Sequence, residues 1–301
     1  MSKVYLCSFA DTRLCLSALR FYQQAKAMQV FDYIFLYNET NLDKEFRDAM
    51  SNQACINGGG GVTRGFGYWC WKPQIILQTL QQMNEGDVLF YIDIGCEFQI
   101  EGRRRLQEMI DEIRKNEIMG VMVGGHHIEK VWTKASVFQH FGVLNDKHYV
   151  DTRQIASGLV MLCKTQRTQA IMQEWLNVFY HHFELVDDSP SPIPNDESFI
   201  ENRHDQSIWS ILNKKHNIVN FDGVDFTQMA VNPEQHPIVT VRNAIYCSFI
   251  TSSTNSTANR YLKVMWIIPA LISKLHPIRS GRRYARTLKK FLLHYSFVNK
   301  N

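Results

Sequence analysis

Short apolar runs alternate with longer segments of helical periodicity along most of this chain. VYLCSFA (Val4 to Ala10) reads as a buried strand, and Asp11 and Thr12 then offer a cap for a helix through Leu14, Leu16, Leu19 and Phe21. FDYIFLYN (Phe31 to Asn38) predicts a second strand and DKEFRDAM a second helix. PQIILQTLQQM predicts a helix with Pro73 in its first turn, where the missing N–H costs nothing. DVLFYID is the next strand, RRRLQEMIDEIRKN an amphipathic helix, and IMGVMVGG and ASGLVMLCK (Ala156 to Lys164) two further strands. TQAIMQEWLNVFYHHF is helical, HDQSIWSILNKKH starts a helix near Asp205, and NIVNFD closes the series as a short strand. Strands that alternate with helices predict an α/β fold with a mostly parallel central sheet flanked by helices.

Two segments break the pattern. INGGGGVTRGFGYWCWKP holds six glycines between Gly58 and Gly67, and SPSPIPND (Ser189 to Asp196) is a proline-rich loop. Beyond residue 250 the composition changes to a polar STNSTAN stretch, an apolar VMWIIPALI and a basic RSGRRYARTLKKFLLHY. The expected organisation is an α/β domain over 1–250 and a basic amphipathic tail over 251–301.

Charge sharpens this division. The net charge is +4, but no acidic residue follows Glu234, and ten of the 33 Lys and Arg lie between Arg260 and Lys300. The remaining 23 face 29 acidic residues, so a mildly acidic body carries a basic tail. Such a tail suits an anionic membrane surface. Nine apolar residues with a proline are too few to span a bilayer but enough to lie among headgroups. Seven cysteines without a CxxC argue against a disulfide framework or a cysteine zinc site, and MSKVYLCSFADTR lacks the apolar core of a signal peptide. The expectation is a cytoplasmic protein, peripheral at the inner face of the membrane. No recognised nucleic-acid motif accompanies the basic residues.

Three motifs can carry chemistry. The strand DVLFYID ends in Asp93, followed by Ile94, Gly95 and Cys96; a strand-tip carboxylate is either a turn residue or a ligand group at the carboxyl edge of a sheet. In RGFGYWCWKP, glycines allow close backbone approach, Tyr68 and Trp71 offer flat faces, and Arg64 and Lys72 offer charge, Lys72 at a helix start suited to anions. No GK[ST] ending follows the glycines, so this is not a phosphate-binding P-loop. In ENRHDQSIWSIL, Asp205 and Gln206 open a helix; Asp205 is a cap, a reacting-site carboxylate, or both.

Together, VYLCSFA, GYWCWKP before a helix, GDVLFYIDIGC, QIASGLVML and RHDQSIWSIL resemble GT-A-type nucleotide-sugar glycosyltransferases. The likeness is to bacterial enzymes of surface-polysaccharide assembly, such as lipopolysaccharide, O-antigen or capsule. It implies that Asp93-Ile94-Gly95 stands where the family carries a DxD element holding a divalent metal, Mn2+ or Mg2+. The second carboxylate is missing; Glu97 or His236 are the candidates to complete a site with Asp93. HDQS resembles the DQD element of retaining family-eight enzymes, which places Asp205 and Gln206 beside the reacting sugar. Ser8 and Phe9 in the first strand and Arg13 beyond it are further donor-site candidates; Gln154, Ser157 and Gly158 of QIASG either line the donor sugar, as the resemblance implies, or form a plain strand with a glycine bulge, and Arg242 joins Arg64 and Lys72 as a candidate cation for the departing diphosphate. Asp205, Glu129 and Asp151 are the candidate catalytic carboxylates.

The expected reaction moves a sugar from a nucleotide-sugar, most commonly a UDP-sugar in such enzymes, to a lipid-linked or lipopolysaccharide-type glycan. A departing diphosphate needs cations and an oxocarbenium-like ring needs a carboxylate or amide oxygen, which fits these residue types. The alternatives are a non-catalytic nucleotide- or glycan-binding protein and another nucleotide-sugar-using enzyme. A sugar nucleotidyltransferase would carry a GxGxR-type signature after the first strand, where this chain has SFADTR.

Overall fold

The computed structural model describes residues 2–51, 64–125, 127–226 and 232–243. The tail over 251–301 and the run Gly58 to Gly61 lie outside the described residues. The strands are β1 (Val4–Phe9), β2 (Tyr33–Tyr37), β3 (Val88–Ile92), β4 (Glu97–Phe98), β5 (Ile118–Val121), β6 (Leu159–Cys163), β7 (Val219–Phe221) and β8 (Ile238–Val239). The helices are α1 (Cys15–Met28), α2 (Lys44–Met50), the turn α3 (Gly65–Tyr68), α4 (Trp71–Leu80), α5 (Arg103–Asn116), α6 (Glu129–Trp132), α7 (Ala135–His140), α8 (Lys147–Val150), α9 (Gln166–His181) and α10 (Asp205–Lys215).

Six strands form one sheet in the order β2-β1-β3-β6-β5-β7, and β4 and β8 form a separate antiparallel pair. Five of the six run the same way, as expected; β6 is antiparallel to both β3 and β5. This follows from where the chain turns. After β5, the helices α6 to α8 and the return through Ile155 stay at the carboxyl edge, with Val123 N–H donating to Gln154 O at 2.8 Å and Ala156 N–H to Val121 O at 2.8 Å. The chain therefore enters β6 at that edge. The start of β6 and the end of β3 become neighbours, Ile92 pairing Leu159 and Asp93 N–H donating to Gly158 O at 2.8 Å.

Alternation along β3 divides its side chains between two cores. Leu89 and Tyr91 join Tyr5, Cys7, Trp71, Ile75, Trp175 and Trp209 under α4, α9 and α10. Val88, Phe90 and Ile92 join Leu6, Phe21, Leu106 and Met161 under α1 and α5. Helices thus cover both faces, and each large apolar side chain fully buried contributes about 1.5–3 kcal/mol. α4 begins two residues before Pro73, which still occupies the first turn, where N–H groups have no helical partner.

Candidate active site

Three chain segments meet at the carboxyl edge: the end of β3, the start of β6 and the start of α10. Lys72, near the start of α4, joins them. Its Nζ lies 2.8 Å from Asp205 Oδ2 and 3.4 Å from Asp93 Oδ1, and donates to Ser157 Oγ at 3.0 Å. The rings of Tyr91 and Trp69 flank the ammonium at 5.7 and 6.0 Å. Burial acts to lower the Lys72 pKa, but the Asp205 and Asp93 carboxylates outweigh it and hold the ammonium protonated. Burial raises Asp205 above the usual carboxylate range, with Lys72 and Ser157 acting against it. Lys72 and Asp205 side chains are 3% and 4% exposed, whereas Asp93 is 38% exposed. Asp93 is therefore the part of this trio that faces solvent. Tyr91 O–H donates to its Oδ1. A Cβ on Gly158 would come within 2.9 Å of Oδ2, so the strand leaves room for that oxygen only because residue 158 has no side chain.

The aromatic segment packs beside this trio. Gly65, Phe66, Gly67, Tyr68 and Trp69 all have positive φ, so α3 winds left-handed. Non-glycine residues there cost roughly 1–2 kcal/mol each. Gly65 is also pressed against Trp69, where a Cβ would meet the indole at 2.3 Å. Packing holds the turn: Trp71 Nε1–H donates to Gly65 O at 3.0 Å and Trp71 stacks on Phe9 at 4.2 Å. Tyr68 and Trp69 lie against His204, the residue before α10, which itself has φ 55°. His204 Nδ1 donates to Val186 O at 2.7 Å, and burial lowers its pKa.

Arginines gather at the rim. Arg203 stacks on Trp132 at 4.1 Å and pairs with Glu201 at 2.9 Å; Arg64 lies 3.6 Å from the same carboxylate. Arg203 is pushed below its ordinary value first by burial, with Glu201 opposing and the Arg242 and Arg64 charges adding to the push. Arg242, at φ 52°, lies on the turn after β3: a Cβ on Gly95 would meet its Cα at 3.2 Å, and Asn243 N–H donates to Gly95 O at 2.9 Å. Arg20 fastens this crossing by donating to Ile94 O at 2.7 Å, Cys96 O at 2.9 Å and Asn243 O at 3.1 Å.

The structure thus brings together Asp93, Gly95, Lys72, Ser157, Gly158, Asp205 and the backbone of Arg242. Gln206 is half-buried at the start of α10 and donates to Gln154 at 2.8 Å. Other expected residues have different surroundings. Ser8 is buried and donates to Ile92 O at 2.6 Å; Phe9 and Trp71 are core; Arg13 pairs with Asp11 at 2.6 Å; Tyr68 donates to Asp188 at 3.0 Å. Asp151 pairs with Lys130 at 3.0 Å on the surface, and Glu129 is fully buried beside Lys214. Lys72, expected at an open helix start, is enclosed by carboxylates. Arg203 was not among the expected ligands; its signal was its place between Glu201 and the HDQS run.

A divalent metal would need further donors beside Asp93. Glu97 is held by Arg20 at 3.2 Å and Asn243 at 2.6 Å. His236 precedes Pro237, whose carbonyl accepts from Gln99 N–H at 2.9 Å, beyond β4 from Asp93. No group of three metal-ligand side chains occurs among the described residues. Asp93 has one oxygen already shared by Tyr91 and Lys72, and the neighbouring Asp205 carboxylate is buried against the same Lys72 ammonium. Among the described residues, the side chains at this edge do not form the ligand set of a resident divalent ion.

No family model matches this chain, and no curated protein sequence matches it significantly. Solved structures do. One is a glycosyltransferase involved in glycosylation of the major capsid of PBCV-1, 9% identical, covering 79% of this chain and 93% of that one, with a TM-score of 0.43. Mouse xyloside xylosyltransferase 1 is 12% identical, covering 75% and 87%, with a TM-score of 0.42. A galactosyltransferase solved with donor and acceptor sugar analogues is 12% identical, covering 86% and 94%, also at 0.42. At these identities and scores the likeness assigns no residue a role.

Proposed function

We propose that this chain is a glycosyltransferase that moves a sugar from a nucleotide-sugar to an acceptor hydroxyl. The observation that carries the reading is the convergence of Asp93, Ser157, Gly158, Asp205 and Gln206 around Lys72 at one sheet edge. Lys72, Asp93 and Asp205 together carry one net negative charge, which favours positive charge developing on a sugar ring. The cations Arg64, Arg203 and Arg242 belong to the rim instead, where a departing diphosphate would gain from them. In the reaction the anomeric carbon–diphosphate bond breaks, the acceptor oxygen bonds to that carbon, and the acceptor proton is released. Asp93 offers its open oxygen to sugar hydroxyls, and Gln206 its amide to the ring.

The finer reading is a UDP-sugar donor and a lipid-linked or lipopolysaccharide-type acceptor at the cytoplasmic face of a membrane. Its membrane part is supported by the basic, aromatic-containing sequence beyond residue 251, where each cation near an anionic leaflet would contribute about 1 kcal/mol. No helix among the described residues is long and apolar enough to cross a membrane. Truncation after Ser252 should release the protein from anionic liposomes; equal co-sedimentation of both forms would refute the attachment.

The decisive experiment is a panel of nucleotide-sugars scored by thermal stabilisation and donor hydrolysis. One donor should raise the melting temperature and be hydrolysed, because a ligand that binds only the folded state stabilises it. A panel in which no nucleotide or nucleotide-sugar does either would overturn the reading.

A further inference from the structure

Behind the open site lies a line of buried polar groups, beginning at Glu129 in α6. Three donors converge on this fully buried carboxylate: Thr133 Oγ1–H at 2.8 Å, Ser210 Oγ–H, and Lys214 Nζ at 2.7 Å. The Ser210 hydroxyl also accepts from Ile155 N–H at 2.7 Å, so its one proton is free to go to Glu129. The line continues outward. Gln154 Nε2 lies 3.0 Å from Thr133 Oγ1 and 3.3 Å from Trp132 O, and Gln206 Nε2 lies 2.8 Å from Gln154 Oε1.

Hydrogen-bond chemistry gives this line one direction. With its charge met by Lys214, Glu129 only accepts. The single Thr133 proton therefore goes to Glu129, and the Thr133 oxygen must accept from Gln154. The Trp132 carbonyl, already accepting from Arg203 N–H and Ser207 Oγ–H at 3.0 Å each, lies 3.3 Å from the same NH2 end and is its weaker partner, so Thr133 decides the orientation. Gln154 is then left with its carbonyl oxygen toward Gln206, and Gln206 must use its NH2 group to meet it. The Gln206 carbonyl oxygen is the end left for the half-exposed side, next in sequence to Asp205.

We propose that Glu129, held by Lys214, is a positioning residue that acts through Thr133 and Gln154 to make Gln206 present its carbonyl oxygen to the sugar site. The inference rests on the reading above and deepens it. An oxygen at that place stabilises a ring bearing positive charge, whereas an NH2 group there would oppose it. Glu129 thereby acts on the reaction without touching the substrate. Ordered networks of this kind hold only when every member is satisfied.

The test compares Thr133→Val, which cuts the line without removing the Glu129–Lys214 pair, with Thr133→Ser, which restores the hydroxyl. Two readouts are taken: transfer kinetics, and solvent exchange of the Gln206 side-chain NH2 in glutamine-labelled protein, assigned by its disappearance in Gln206→Leu. The wild type should show a protected NH2. Thr133→Val should lose that protection and about 100-fold in kcat, the scale of a small misplacement, with nucleotide affinity and KM little changed. Thr133→Ser should recover both. A rapidly exchanging NH2 in the wild type would overturn the proposal, as would full kcat in a Thr133→Val protein that has lost protection. If Thr133→Val does not fold, exchange in the wild type and in Glu129→Gln decides: protection must be present in the first and altered in the second. A protein that handles no nucleotide-sugar at all would refute the functional reading alone, since the exchange measurement still reports the line.

Discussion

The ammonium of Lys72 stands 2.8 Å from the Asp205 carboxylate, with both side chains almost wholly out of water. Removing one partner strands the other. Lys72→Met should destabilise the fold by about 3–5 kcal/mol, measured by denaturant unfolding. Lys72→Met with Asp205→Asn should recover a large part of that loss without recovering transfer. Simple additivity of the two single changes would show that the pair is not coupled.

Asp93 and Gly158 form a second test. Asp93→Asn keeps an oxygen for Tyr91 O–H but lowers the charge at the solvent-facing tip. It should cost transfer about 100-fold or more, while changing stability by no more than about 1 kcal/mol. Gly158→Ala should reproduce part of this loss by a different route, because its methyl would crowd Asp93 Oδ2 from 2.9 Å. Near-normal turnover in both variants would return Asp93 to the role of a turn residue.

Metal ions supply a third. At the site, Asp93 is the one solvent-facing carboxylate among the described side chains, so Mn2+ or Mg2+ alone should leave the melting temperature unchanged, and so should EDTA. A metal bound only to the folded state would raise the melting temperature with concentration. A saturable shift produced by metal without nucleotide would mean that this chain does hold its own ion.

Acid should act through His204. Burial keeps it neutral in the folded chain, while the unfolded chain titrates near 6.5. Below about pH 6.5 the unfolded state therefore binds a proton that the folded state does not, and stability falls as pH falls; above it the contribution is fully present. His204→Asn tolerates the positive φ and keeps a donor for Val186 O. Its stability should depend less on pH below 6.5 than that of the wild type, with a residual slope from His140, which burial also lowers. Identical pH dependence of unfolding in both proteins would remove His204 from this role.

What the sequence revealed, and what it hid, follows the range of the interactions. β3 was legible because VLFYI is a continuous apolar run ending at Asp93, and α5 because its apolar positions repeat along RRRLQEMIDEIRKN. The direction of β6 was not. LVMLC is buried on both faces, and a strand so buried carries the same residues whether it runs with its neighbours or against them. The four-residue helices α6 and α8 are too short to show a period. In the site, Asp93, Asp205 and Gln206 stood out as polar residues where elements end or begin. Lys72 was read as an anion site at a helix start, although the apolar Ile75 and Ile76 that follow already hinted at burial. Glu129 was visible as a carboxylate, but Lys214 lies 85 residues away and no local pattern joins them.

The strap formed by residues 238–243 also sets a schedule for biosynthesis. β8 pairs with β4, and Asn243 closes on Gly95 under the grip of Arg20. Asp93 and its turn are translated long before these residues leave the ribosome. The nascent chain can therefore lay down β1, β3 and β6, and even set Lys72 between its two carboxylates, while the strand tip still lacks its cover. Polypeptides cut short before residue 238 would hold all six strands of the main sheet but lack β8, the partner of β4, and the rim arginine Arg242.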